Sequence, residues 1–145
     1  MKDDARRRLR ETYPWAIDIP ARFGDMDANA HLNNVAIARM FEEARVSFNW
    51  DTGRALGNPG TRPRFLVAHV GIDYLAEANY PGIATIGYGI VSAGNSSFRA
   101  GMAAFQHGVC FALCDSVLVH RGSDGGPAPL PQALRTRLEA FALKG

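Results

Sequence analysis

Between Trp15 and Phe23 the residues Trp15, Ile17, Ile19 and Ala21 alternate with more polar neighbours, a period of two that predicts a β-strand. Polar loop residues follow from Gly24 to Asn34. From Asn34 to Thr52 the period changes. Ile37, Met40, Phe41, Ala44 and Phe48 recur at spacings of three and four, so one face of a helix carries them all. Asn33 or Asn34 suits the N-cap, and Gly53 is the expected stop. Residues 1–12 read as a loose polar lead-in.

Past a Pro- and Gly-rich connection from Gly57 to Pro63, the alternation returns and persists to about Arg121. Leu66, Ala68, Val70, Ile72 and Tyr74 mark one strand, Ile83 to Ser92 a second, and Phe98 to Gln106 and Val109 to Val119 two more. Pro81-Gly82, Gly94-Asn95 and His107-Gly108 are the turns, the last a tight hairpin. Gly87, Gly89 and Gly101 weaken strands unless a bend or a close approach requires them. Leu134, Leu138 and Phe141 predict a short final helix after Pro127, Pro129 and Pro131. Strand, long helix, then a run of antiparallel strands is an α+β layout. One helix covers one face of such a sheet only. The other face or an edge is therefore expected to be buried by another subunit, giving a homodimer or homotetramer.

The chain's 145 residues fit a single domain, 1–145. A net charge of +2 and an Arg-rich N-terminal tail without interleaved aromatic residues do not suggest nucleic-acid binding. No run approaches the ~20 apolar residues of a membrane span, and the charged N-terminus does not resemble a signal peptide. Cys110 and Cys114 fall on one strand, roughly 13 Å apart, too far for a disulfide. Free thiols fit a reducing compartment, so a cytoplasmic location is expected.

The densest set of chemical groups is Asp25, Asp27, Asn29, His31, Asn33 and Asn34, in the loop that runs into the helix start. Open backbone N–H groups at a helix N-terminus can stabilise the oxyanion formed when a thioester is attacked. A carboxylate beside them can attack the carbonyl carbon or deprotonate water. Asp and Asn are also ordinary caps and turn formers, and the pattern alone does not separate the two roles.

The stretch Arg22-Phe23-Gly24-Asp25-Met26-Asp27-Ala28-Asn29-Ala30-His31-Leu32-Asn33-Asn34, with Phe41-Glu42-Glu43-Ala44-Arg45 after it, resembles the signature of the 4-hydroxybenzoyl-CoA thioesterase family of hotdog proteins. It also resembles the motif of plant acyl-ACP thioesterases. Gly94-Asn95-Ser96-Ser97-Phe98 and Asp115 to Val119 fit the family's strands, so the likeness runs from about Trp15 to Leu138. The resemblance implies a curved antiparallel sheet wrapped around one long helix, with active sites at a dimer interface. It places the catalytic carboxylate on Asp27 and the carbonyl-polarising amide on Asn34, and implicates Asn29 and His31. It assigns Asn95, Ser96 and Ser97 to the groove for CoA, the alternative being that Ser96 and Ser97 shape a turn. Ala30 departs from the Gly of many members, and Ile37 from a frequent Tyr.

Other candidates are weaker. Glu42 and Glu43 lie off the apolar helix face and are expected at the surface. His69, on the mixed face of its strand, is a core or interface candidate, and His107 and His120 sit at strand ends. No pair of histidines has metal-ligand spacing, so neither a metal nor a cofactor is expected, CoA entering only as part of the substrate. Ser96 and Ser97 lack the nucleophile elbow. Arg62, Arg64, Arg99 and Arg121 could meet CoA phosphates. The expected activity is hydrolysis of an acyl-CoA or acyl-carrier-protein thioester, with Asp27 as base or nucleophile. A hotdog hydratase or dehydratase and a non-catalytic acyl-thioester binder are the alternatives.

Overall fold

The computed structural model describes residues 1–145. Its strands are β1 (Trp15–Pro20), β2 (Phe65–Tyr74), β3 (Ile83–Ala93), β4 (Ser97–Gln106) and β5 (Val109–His120). The helices are α1 (Asn34–Ala55) and α2 (Gln132–Ala140). The strands form one antiparallel sheet in the order β1-β3-β4-β5-β2, and α1 packs on one face of it. This curved sheet around a long helix is the hotdog arrangement. No helix is long and apolar enough to cross a membrane.

The core follows from the periodicities. Ile37, Met40, Phe41, Ala44 and Phe48 of α1 are buried against Ile86, Tyr88, Ile90, Phe98, Ala100, Met102 and Ala104 on the alternate positions of β3 and β4. Phe48 stacks on Tyr88 with ring centroids 4.4 Å apart. His107 and Gly108 take φ values of 53° and 78°, the two consecutive positive angles of a type I′ hairpin turn.

Two expectations are corrected. The helix does not stop at Gly53 but runs to Ala55, and the left-handed residue that ends it is Gly57, at φ 84°. Gly53 instead makes room for the returning chain. A Cβ there would sit 1.9 Å from the carbonyl oxygen of Thr61, so the helix needs a glycine where that segment crosses it. Residues 1–12 are not a loose lead-in. They form two short 3₁₀ turns, Ala5–Arg8 and Arg10–Thr12, that leave Arg7, Thr12 and Tyr13 buried. Arg7 donates to Asp115 at 2.5 Å and to the Tyr13 hydroxyl at 3.1 Å.

The strand glycines explain where this segment lies. Gly87, Gly89 and Gly101 alternate with the core positions, so they open on the face away from α1. A Cβ on Gly87 would meet the Tyr13 ring at 2.7 Å, one on Gly89 the Leu143 side chain at 2.5 Å, and one on Gly101 the Arg7 guanidinium at 2.7 Å. Close approach by both chain termini is thus the reason for these glycines. The amide of Lys144 donates to the carbonyl of Thr12 at 2.9 Å and joins the two ends.

Edge strand β2 is the exception to burial. A bulge between Val67 and His69 shifts its register, and Leu66, Val67, Val70 and Tyr74 are all exposed. His69 is exposed too and has no place in the core. On α1, Val35, Val46 and Trp50 form a second set of exposed apolar residues.

Candidate active site

Two ends of the sheet matter. At one end lie the last residues of β1, β2 and β4 and the first of β3 and β5; the loop from Phe23 to Asn33 covers this end. Phe23–Asp25 forms a 3₁₀ turn, which shortens the first strand relative to its predicted span. A bridge between Met26 and Leu32 then closes a small loop. Inside it the amide of Asp27 donates to the carbonyl of His31 at 2.9 Å, and that of Ala30 to the carbonyl of Asp27 at 3.1 Å. Ala30 is forced to φ 61°, a left-handed conformation that glycine adopts more readily.

The two aspartates of the loop have different surroundings. Asp25 is buried, and its carboxylate accepts the Arg22 amide at 2.8 Å and the Arg22 guanidinium at 3.1 Å. Burial pushes this carboxyl upward, but the Arg22 amide and guanidinium outweigh it and hold it below the ordinary carboxylate range. Its carbonyl takes the amide of Asn33 at 2.9 Å. Asp25 therefore builds the loop. Asp27 is exposed, and only its Oδ1 is engaged, by the amides of Asn29 at 2.9 Å and His31 at 3.4 Å. The carboxylate is oriented and its second oxygen is free to react.

Asn33 caps α1, its Oδ1 accepting the Ala36 amide at 2.8 Å. The first amides of the helix, Asn34 and Val35, donate to no group of the chain. The loop thus carries an exposed carboxylate, at Asp27, and runs on into the open amides at the start of α1.

The structure also assembles groups the sequence pattern did not indicate. His31 places Nδ1 2.9 Å from Oδ1 of Asn79 and Nε2 3.1 Å from Oε2 of Glu77. Both ring nitrogens are engaged, so the imidazole anchors the loop while its backbone amide faces Asp27. Asn79 is fixed in turn by buried Gln106, through the Asn79 amide to Oε1 at 2.9 Å and Nε2 to the Asn79 carbonyl at 2.8 Å. Tyr74, at the end of β2, donates its hydroxyl to the carbonyl of Asn34 at 3.3 Å. These residues lie 27 to 48 positions from their partners, so no local spacing announced them.

Asn95, Ser96 and Ser97 are not brought to this end. They form the turn between β3 and β4, at the opposite end of the sheet, where the carbonyl of Ser96 takes the His120 amide and that of Asn95 the Leu130 amide. The ten residues of β2 separate the two ends by roughly 30 Å. Glu42 and Glu43 are exposed on α1. Glu43 lines a cleft of about 370 Å³ between α1 and β1, with Asp18, Arg22, Asp25 and Arg39, and Asp27 is not among its walls. No three His, Cys, Asp or Glu side chains converge as metal ligands would.

Residues 21–138 match the family model of the thioesterase-like superfamily. The fold is similar to that of a thioesterase from Thermus thermophilus, whose crystal structure is a complex with coenzyme A and zinc. Identity is 31%, with 90% of this chain and 95% of that one covered and a TM-score of 0.77. A predicted thioesterase from Bacillus stearothermophilus is 26% identical over 90% of this chain and 98% of its own, with a TM-score of 0.80. The PA5185 protein of Pseudomonas aeruginosa is 29% identical over 95% and 98%, with a TM-score of 0.82. No curated protein matches the chain. A carboxylate and open helix amides on one loop, within a fold and a family model that agree, place this chain in the thioesterase-like superfamily as a hotdog-fold thioester hydrolase.

Proposed function

We propose that the chain hydrolyses an acyl-CoA thioester, with Asp27 as the carboxylate that attacks the carbonyl or activates the attacking water. The observation that carries this is the exposed Asp27 carboxylate, held by the Asn29 amide through one oxygen only, on the loop that leads to the unengaged amides of Asn34 and Val35. Those amides polarise the thioester carbonyl and stabilise the oxyanion, and the thiolate of CoA is a good leaving group. Asn29 and the backbone of His31 orient the carboxylate. That the Thermus relative was crystallised with coenzyme A supports CoA rather than a carrier protein as the thiol. Cys110 and Cys114 as free thiols fit a cytoplasmic enzyme.

The active unit is a homodimer. β2 has an open edge, and Leu66, Val67, Val70 and Tyr74 on it and Val35, Val46 and Trp50 on α1 are exposed. A second copy pairing β2 with β2 covers the apolar set.

Thiol release from a panel of acyl-CoA and acyl-carrier-protein thioesters, repeated with Asp27→Asn, tests the reading. Hydrolysis of the CoA thioesters that the variant loses supports it. Unchanged release by the variant, or addition of water across an enoyl double bond without thiol release, rejects it. In isotopically labelled water, label in Asp27 shows direct attack, since only an anhydride opened at the Asp27 carbonyl places solvent oxygen there, and chemical trapping of the anhydride covers opening at the acyl carbonyl; general-base catalysis gives neither.

A further inference from the structure

Every hydrogen bond of Asp27, backbone and side chain, stays within residues 27–31. The carboxylate is therefore placed by whatever holds that small loop to the rest of the fold. Three contacts fasten it to one short segment between β2 and β3. The Leu32 amide donates to the carbonyl of Ala78 at 2.8 Å, His31 Nδ1 lies 2.9 Å from Asn79 Oδ1, and His31 Nε2 lies 3.1 Å from Glu77 Oε2. The segment from Glu77 to Asn79 is thus the seat of the loop, and the His31 ring is the strut between them.

That seat lies outside the strands, and Glu77 and Asn79 are both exposed. Gln106, the last residue of β4 and only 6% exposed, fixes it. Its side-chain amide takes both backbone groups of Asn79, Oε1 accepting the N–H at 2.9 Å and Nε2 donating to the carbonyl at 2.8 Å. A residue on a neighbouring antiparallel strand would make the same two-way exchange. Gly82 leaves the room, since a Cβ there would stand 2.6 Å from Nε2. A buried amide bonded through both of its polar atoms has one orientation, so the seat is rigid.

We infer that Gln106 and Asn79 are positioning residues for hydrolysis: neither bonds to Asp27, and through His31 they set where its carboxylate stands relative to the open amides of Asn34 and Val35. This rests on the thioesterase reading above and extends its machinery from the loop to the far side of the sheet's β4–β5 hairpin. Remote contacts of this kind matter because a displacement of about 1 Å at a reacting group costs on the order of 10²-fold in rate.

Two variants test it. Gln106→Met keeps most of the side-chain volume and removes both bonds. Asn79→Ala removes the oxygen facing His31 at an exposed position, so folding is retained. Each should lower kcat on an acyl-CoA thioester about tenfold or more and leave KM within about twofold, because substrate still docks while its attacker is misplaced. Asn79→Asp keeps an oxygen for Nδ1 and should recover most of what Asn79→Ala loses. In an Asp27→Asn background Gln106→Met should bring no further loss, since a residue that acts through Asp27 has nothing left to place. Losses that multiply in the double variant, or that fall on KM as much as on kcat, overturn the inference. Backbone amide resonances read the loop without chemistry. Those of Asp27, Asn29 and His31 should shift in both variants while that of Asn95, at the opposite end of the sheet, stays in place; unshifted loop resonances also overturn it. An unimpaired Asp27→Asn removes the hydrolytic reading and this inference together, whereas an impaired Asp27→Asn beside unimpaired Gln106→Met and Asn79→Ala removes this inference alone.

Discussion

Asp27 accepts the backbone amide of Asn29 through Oδ1 at 2.9 Å, which fixes the carboxylate plane and leaves Oδ2 open. An asparagine can keep this contact through its own Oδ1 but cannot act as base or nucleophile. Asp27→Asn should therefore lower turnover by ~10²-fold or more with an unchanged melting temperature. Glu43→Gln, in the cleft beside β1, should leave turnover unaltered. Steady-state kinetics on one acyl-CoA checks both.

Ala30 at φ 61° carries strain that glycine would not. Ala30→Gly should stabilise the protein by about 0.5–1 kcal/mol, the relief of the left-handed conformation exceeding the added freedom of the unfolded chain. Urea unfolding measures it. A loss of stability would mean that the Ala30 side chain has packing value that its exposed position does not suggest.

Gly53 lies inside α1, where alanine would ordinarily improve helix propensity. The Thr61 carbonyl blocks its Cβ, so Gly53→Ala should instead destabilise by about 2–3 kcal/mol, visible as a lower urea midpoint.

The Arg7–Asp115 pair, 2.5 Å apart with side chains 7% and 16% exposed, pins the N-terminal turns to the sheet. Arg7→Ala leaves Asp115 poorly compensated and should cost about 3 kcal/mol. A double-mutant cycle with Asp115→Ala separates the pair from its neighbour Arg99.

Buried groups set the alkaline limit, the wholly buried and unpartnered Tyr88 hydroxyl, which burial raises furthest, together with Cys114 and Tyr13. Burial pushes the Cys114 thiol from 9.0 up to about 11 and the Tyr13 hydroxyl from 10.0 up to about 12, with Ser116 and Arg7 respectively opposing. All three are raised in the folded state, so the stability they confer is complete below about pH 9 and drains away as pH rises towards 12. Denaturation midpoints measured across this range should fall, and Cys114→Ala should delay the onset of the fall.

Local order was legible in the chain because periods of two and of three to four are written in neighbouring residues. The strands, the α1 face from Ile37 to Phe48 and the His107-Gly108 turn all follow from side-chain direction. The loop that runs into α1 was legible for a related reason: Asp27, Asn29, His31 and Asn34 lie within one short polar segment just before the helix periodicity begins.

Long-range relations were decided by the tertiary structure alone. Nothing near Gly53 in sequence shows that Thr61 will cross it, and nothing near Gly87 or Gly101 announces Tyr13 or Arg7 on the outer face. The joining of His31 to Glu77 and Asn79, the remoteness of Asn95 to Ser97 from Asp27, and the meeting of Arg62, Arg64 and Arg121 depend on how strands far apart in the chain are paired. Pairing is settled by summed burial over the whole sheet, and such a sum has no local signature in the amino-acid order.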